Sequence, residues 1–155
     1  MSFVFSSCLI NTFRFAPCKE LKNPIEVEFC NLPKYDSSKL LKVRCSYSGV
    51  DEYWGLIGFN CKEDSLDYGV HLDYDFDNYP LRNNLSNYFF NKRIKILYKN
   101  GKNKAELELI GNFYKAESFE PGEGFGHLGL QKYNFAAKYI RVIRITKKIK
   151  NKKSL

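Results

Sequence analysis

The sequence predicts an all-β protein with minor α content, built as a small antiparallel β-barrel or sandwich. Three observations predict it. Aromatic residues make up 16% of the 155 residues, with 13 Phe and 11 Tyr, and aromatic and β-branched side chains favour a pleated, half-buried surface. Apolar and polar residues alternate in several short runs, the pattern of a strand with one buried face. Glycine and asparagine punctuate those runs at short intervals.

The strand candidates follow in chain order. Phe3–Phe15 alternates in part, as one long strand or two. Ile25–Asn31 reads IEVEFCN, with Ile25, Val27 and Phe29 on one face and Glu26 and Glu28 on the other. In Leu40–Ser48, Leu41, Val43, Cys45 and Tyr47 oppose Lys42 and Arg44. Tyr53–Cys61 is an apolar run containing Gly55 and Gly58, and Tyr68–Phe76 alternates cleanly. Arg93–Tyr98 and Ala105–Tyr114 are joined through Asn100-Gly101, a strong hairpin signal. The last strand is expected over Gln131–Lys147, where Tyr133, Phe135 and Ala137, then Ile140 and Val142, suggest alternation with one slip. One short helix is expected near residues 81–91, where Leu81, Leu85, Tyr88 and Phe89 share a side, although its asparagines make it a weak autonomous helix. A helix set between strands of a small antiparallel barrel is OB-like, an analogy of arrangement only.

These elements form one domain, residues 1–146, long enough to bury a core, followed by a basic tail at 147–155. The net charge is +8, but five of the 25 basic residues lie in the last nine positions: Lys147, Lys148, Lys150, Lys152 and Lys153. Without them the balance is 20 basic to 17 acidic residues, which weakens a nucleic-acid reading of the charge and suits a solvated tail. The five cysteines, Cys8, Cys18, Cys30, Cys45 and Cys61, form no C-x-x-C and no Cys/His pair of zinc spacing, so no metal site is expected. Their odd number and the lack of a secretory leader lead to an expectation of free thiols in a reducing cytoplasm. No run approaches the roughly 18 apolar residues of a membrane span, so no membrane partner is expected.

Pro121–Gly129, PGEGFGHLG, holds four glycines and one of the two histidines. Gly124, Gly126 and Gly129 spell G-x-G-x-x-G, but a dinucleotide fingerprint needs a helix opening at the third glycine and an acidic residue about 20 positions on. A strand-like run follows, and no acidic residue occurs after Gly129. No cofactor is therefore expected. The expected structure is a tight turn joining two antiparallel strands through Gly122, Gly124, Gly126, His127 and Gly129. On Gly111, Phe113 and Gly126-His127-Leu128-Gly129, the stretch from about Arg93 to Ile145 resembles small uncharacterised bacterial proteins with a strand, a GxF element, a GHLG or GHMG turn and a final strand. The resemblance covers about a third of the chain. It implies an OB-like barrel and no transferable activity.

Two segments could carry a function. Between Lys62 and Arg82 lie Glu63, Asp64, Asp67, Asp73, Asp75 and Asp77 with no Lys or Arg. On a strand, His71, Asp73, Asp75 and Asp77 would share one face and Val70, Leu72, Tyr74 and Phe76 the other. That face is an ordinary solvated strand surface or, with Asp67, a binding surface for a basic protein. Asp73-x-Asp75-x-Asp77 opens like a calcium loop, but Asn78 and Asn84 replace the glycine and glutamate it requires. The second segment interleaves aromatic and basic residues, offering Lys92, Arg93, Lys95, Tyr98, Lys102 and Lys104 for single-strand stacking and phosphate neutralisation. His127 as a general base, or a ribonuclease-like His71/His127 pair, lacks a recognisable nucleophile or metal pattern beside it. The leading expectation is thus a non-enzymatic cytoplasmic protein-binding module, most specifically an immunity- or antitoxin-type inhibitor of a partner toxin. The alternative is an OB-like single-stranded nucleic-acid binder.

Overall fold

Strict alternation builds the longest strands. In the computed structural model, which describes residues 12–14, 18–50, 53–59, 61, 69–74, 104–117, 120 and 122–146, β3 (Leu41–Val50) turns Leu41, Val43, Cys45 and Tyr47 inward, all buried. β6 (Lys104–Lys115) does the same with Ala105, Leu107, Leu109, Gly111 and Phe113. β7 (Tyr133–Thr146) buries Phe135 and Ala137, then changes phase to bury Ile140 and Val142. The expected slip is a register shift against β6, where Ile110 faces Tyr139 but Gly111 faces Ala137. A β-bulge of this kind bends the strand and sharpens its twist. Gly111 is required there, because a Cβ would lie 2.1 Å from the Ala136 carbonyl oxygen.

The remaining strands are β1 (Thr12–Arg14), β2 (Ile25–Glu26), β4 (Tyr53–Ile57) and β5 (Val70–Tyr74). Hydrogen-bonded neighbours run β3-β4-β5-β7-β6 and return to β3. The closed object is therefore a five-stranded barrel, not a sandwich. Counted along the barrel the order is 1-2-3-5-4, a Greek-key closure of the OB-like kind. β1 joins β7 antiparallel, and β2 joins β3 on the other flank. Phe113, Phe135, Leu41, Leu56 and Leu109 fill the interior, and Leu32 plugs it from outside the barrel strands. The helix expected at 81–91, the strand expected at Arg93–Tyr98 and the lysine tail lie outside the described residues.

Several expectations are corrected. The sheet is not wholly antiparallel: β5 runs parallel to β7 and β2 parallel to β3. Local alternation does not encode which strands pair or in which direction, least of all for β5 and β7, which are remote in sequence. Ile25–Asn31 is not one strand, since pairing ends at Glu26, Ile25 is 43% exposed, and the chain enters a 3₁₀ segment at Phe29–Lys34. Phe29 and Leu32 both point into the core from that segment, as residues three apart do when i and i+3 eclipse. The strand expected at Ala105–Tyr114 extends by one residue at each end, to Lys104 and Lys115.

The free-thiol expectation fails for two of the five cysteines and holds for Cys45. Cys30, in the 3₁₀ segment, and Cys61, after β4, form a disulfide with their Cα atoms 5.3 Å apart, an approach that sequence spacing cannot reveal. Cys45 is a free, buried thiol, and burial pushes its pKa up, so it is an inert core residue. Among the described residues no helix is long and apolar enough to cross a membrane.

Candidate functional site

β5 sorts its side chains as its alternation requires. Val70 and Leu72 are buried, His71 is half-buried and Asp73 is exposed. His71 and Asp73 thus share the outward face of the barrel. Asp67, Asp75 and Asp77, expected beside them, lie outside the described residues.

The two edges of β5 differ. Along β7 it pairs from Val70↔Tyr133 to Tyr74↔Ala137, but against β4 the ladder among the described residues consists of Leu56↔Val70. The opening beside that bridge is lined by Gly55 and Gly69, and the Gln131 side chain occupies it. Gln131 Nε2 donates to the Trp54 carbonyl at 3.4 Å. A Cβ on Gly55 would sit 2.9 Å from the same nitrogen. Gln131 also hydrogen-bonds His71. Desolvation is the dominant influence on that imidazole and holds its pKa below the ordinary histidine value; the Asp73 charge and the Gln131 hydrogen bond act in the opposite sense.

Gln131 closes the glycine turn. This turn joins β6 to the antiparallel β7, as expected, and its chain reversal is held by backbone bonds. Phe125 and Gln131 exchange both N–H···O bonds, at 2.6 and 3.0 Å, and Gly124 donates to Gly129 at 3.0 Å. His127–Gly129 form a single 3₁₀ turn, so no helix opens at Gly129 and the dinucleotide pattern lacks its anion site. Gly126 takes φ +74°, and a Cβ there would lie 2.4 Å from Gln131 Oε1 and 3.0 Å from His71 Nδ1. The turn is therefore seated directly on the outer face of β5. The acidic strand and the glycine segment, separate in the sequence, form one surface.

At the apex, Leu128 adopts φ 58°, ψ 15° and is 62% exposed. Leu130 and His127 are exposed beside it in the chain. His71 directs Nδ1 toward the turn and Gln131. Among the described residues no three His, Cys, Asp or Glu side chains could hold a metal ion.

Of the alternative nucleic-acid residues, Lys92, Arg93, Lys95, Tyr98 and Lys102 lie outside the described residues, and Lys104 is exposed at the start of β6 opposite Thr146. The outer wall of β3, β6 and β7 carries basic residues that are already neutralised. Glu106 binds both Arg44 and Arg144, and Glu108 lies 3.6 Å from Lys42 and 3.8 Å from Arg141. Sequence reasoning missed this ladder. Its only signal is that the outward residues of AELELI are acidic while those of KVR and RVIRI are basic.

No protein-family model, curated protein or solved structure matches this chain.

Proposed function

We propose that this chain is a non-enzymatic protein-binding module whose docking face combines the glycine turn with the outer side of β5. One observation carries the reading. Leu128 is an apolar residue held in the left-handed region, at φ 58°, and left 62% exposed. A non-glycine residue in that conformation costs about 1–2 kcal/mol, and exposure recovers none of it by burial. Backbone hydrogen bonds on both sides of Leu128 fix the display. An anchored apolar tip on a turn seated against β5, the strand that carries Asp73, suits a partner with an apolar pocket and a basic rim. Asp73, with Asp67, Asp75 and Asp77, would supply the negative side of that contact.

The most specific form of the reading is an immunity- or antitoxin-type inhibitor. It is motivated by the small five-stranded barrel and by an Asn-, Lys- and Tyr-rich composition common in AT-rich accessory genes. The test is capture from nuclease-treated host lysate with the wild type, Leu128→Asp and Asp73→Asn. The expected result is one stoichiometric protein, encoded beside this gene, that Leu128→Asp no longer retains and that Asp73→Asn binds with slower association. Retention by Leu128→Asp would overturn the docking face. Co-eluting nucleic acid with a steep salt dependence would instead favour the single-strand binder.

A cytoplasmic location belongs to the same reading, and the Cys30–Cys61 bridge is its sternest test. Thiol trapping in intact cells should find that pair reduced if the compartment is reducing and oxidised if it is not.

A further inference from the structure

A separate depression lies where β3 exchanges β2 for β4 as its neighbour. β2 pairs with β3 only as far as Lys42, and β4 begins pairing at Ser46. The gap holds a cavity of about 260 Å³ with Val27, Phe29 and Phe59 among its apolar lining. Phe29 is 4% exposed and forms part of the core, whereas Phe59 stands 52% exposed. The Cys30–Cys61 bridge fixes the lining, tying the 3₁₀ segment to the chain just after β4. The packing behind it is tight, since a Cβ on Gly58 would lie 2.2 Å from Cys61 Sγ and 2.9 Å from the Phe29 ring.

Four charged residues complete the lining: Glu26, Glu28, Lys42 and Arg44. Three are spent. Lys42 Nζ lies 3.7 Å from Glu26 and 3.6 Å from Glu108, and Arg44 pairs with Glu106. Glu28 is different. It precedes the 3₁₀ segment without capping it, and its bond from the Asn31 amide is a long 3.4 Å. It forms no ion pair with any described residue. Among the described residues, the cavity is therefore a part-apolar socket whose Glu28 carboxylate has no ion-pair partner. Among the described lining residues both cations, Lys42 and Arg44, are already paired with carboxylates. The volume falls below the ~300–1,000 Å³ of ordinary small-molecule sites, which argues against a nucleotide-sized ligand.

We propose that this depression is a socket for one arginine side chain of a protein partner. The aliphatic stem would lie along Val27 and Phe29, the guanidinium would stack on Phe59, and Glu28 would accept its hydrogen bonds. The proposal shares with the preceding reading only the premise that the partner is a protein. The socket and the Leu128 tip are separate surfaces, each with its own test.

The experiment is an NMR titration of the intact, oxidised protein with Nα-acetyl-arginine amide, using Nα-acetyl-citrulline amide as the neutral isostere. Arginine amide should give saturable shifts confined to Val27–Cys30, Val43 and Phe59, and citrulline amide should bind about tenfold more weakly, as expected when a charge-assisted bond is lost. Glu28→Gln should weaken the arginine probe by a similar factor, and Phe59→Ala should also weaken it. Leu128→Asp should leave the titration unchanged, so failure here and failure of the docking face are told apart. Equal binding of the two probes, no effect of Glu28→Gln, or no saturation would overturn the socket. Glu28 is exposed, so its substitution leaves the fold intact and the comparison interpretable.

Discussion

The two sides of the barrel are closed by different means. On one side β6 pairs with β7 from Lys104↔Thr146 to Lys115↔Tyr133 and with β3 from Leu41↔Gly111 to Tyr47↔Ala105. On the other, β4 meets β5 among the described residues through Leu56↔Val70, and the Gln131 side chain from the glycine turn packs beside that bridge. Where backbone ladders close the barrel, the outward charges also close on one another, as Glu106 and Glu108 do with their four basic neighbours. Where the ladder lapses, side chains do the closing, and Asp73 and Leu128 are presented to solvent. The ladder wall is a scaffold that leaves little chemistry unspent; the seam carries what a partner could use.

The sharpest way to break that comparison is to empty the scaffold. Phe135 is fully buried between the two sides, and Phe135→Ala should cost about 3–5 kcal/mol, read as a large drop in the urea midpoint. Gly126→Ala attacks the seam. Its Cβ would collide with Gln131 and press on His71 at a positive φ, so a loss of about 2 kcal/mol is expected. The signals of His71 and Gln131 should shift while those of β6 stay in place; movement of both would show that the two sides are not independent.

Acid should act on the seam too, more weakly. The folded pKa of His71 is held below its unfolded value of 6.5, so the unfolded chain takes up the proton first. The stability tied to this group is complete above pH 6.5 and is lost as pH falls through that value toward the folded pKa. Urea midpoints at pH 7.5 and 5.5 should therefore separate in the wild type and draw together in His71→Gln. The smallest effect is reserved for the wall. Glu106→Gln breaks pairs with Arg44 and Arg144, whose side chains are 56% and 71% exposed, and should cost only about 0.5 kcal/mol, vanishing in concentrated salt.

What the sequence disclosed follows the same division. β3, β6 and β7 were legible, down to the phase slip between Ala137 and Ile140, because one buried face imposes a period of two on the residues themselves. The outward placement of His71 and Asp73 and the turn at Gly122–Gly129 were legible for the same local reason. The short β2 was not, since IEVEFC alternates like a strand although Phe29 and Leu32 reach the core from a 3₁₀ segment. Nor was anything that depends on chain segments meeting from afar: the parallel β5–β7 pairing, the Cys30–Cys61 bridge, the ion pairs of Glu106, and the seating of Gly126 on His71. The docking face and the socket both belong to that second class, as surfaces assembled from several elements.

The position of β7 governs the order in which this chain can fold. β7 pairs with β1, β5 and β6, and without it the third and fourth barrel strands have no shared neighbour. A chain emerging during synthesis can form the β3–β4 hairpin early, but the ring cannot shut until Tyr133–Thr146 is free to enter between strands already made. Closure is then a late event between residues remote in sequence, the kind of contact that slows folding. Until it occurs, the apolar faces of β3 and β6 stay uncovered, and the interval before closure is when this protein is most exposed to aggregation.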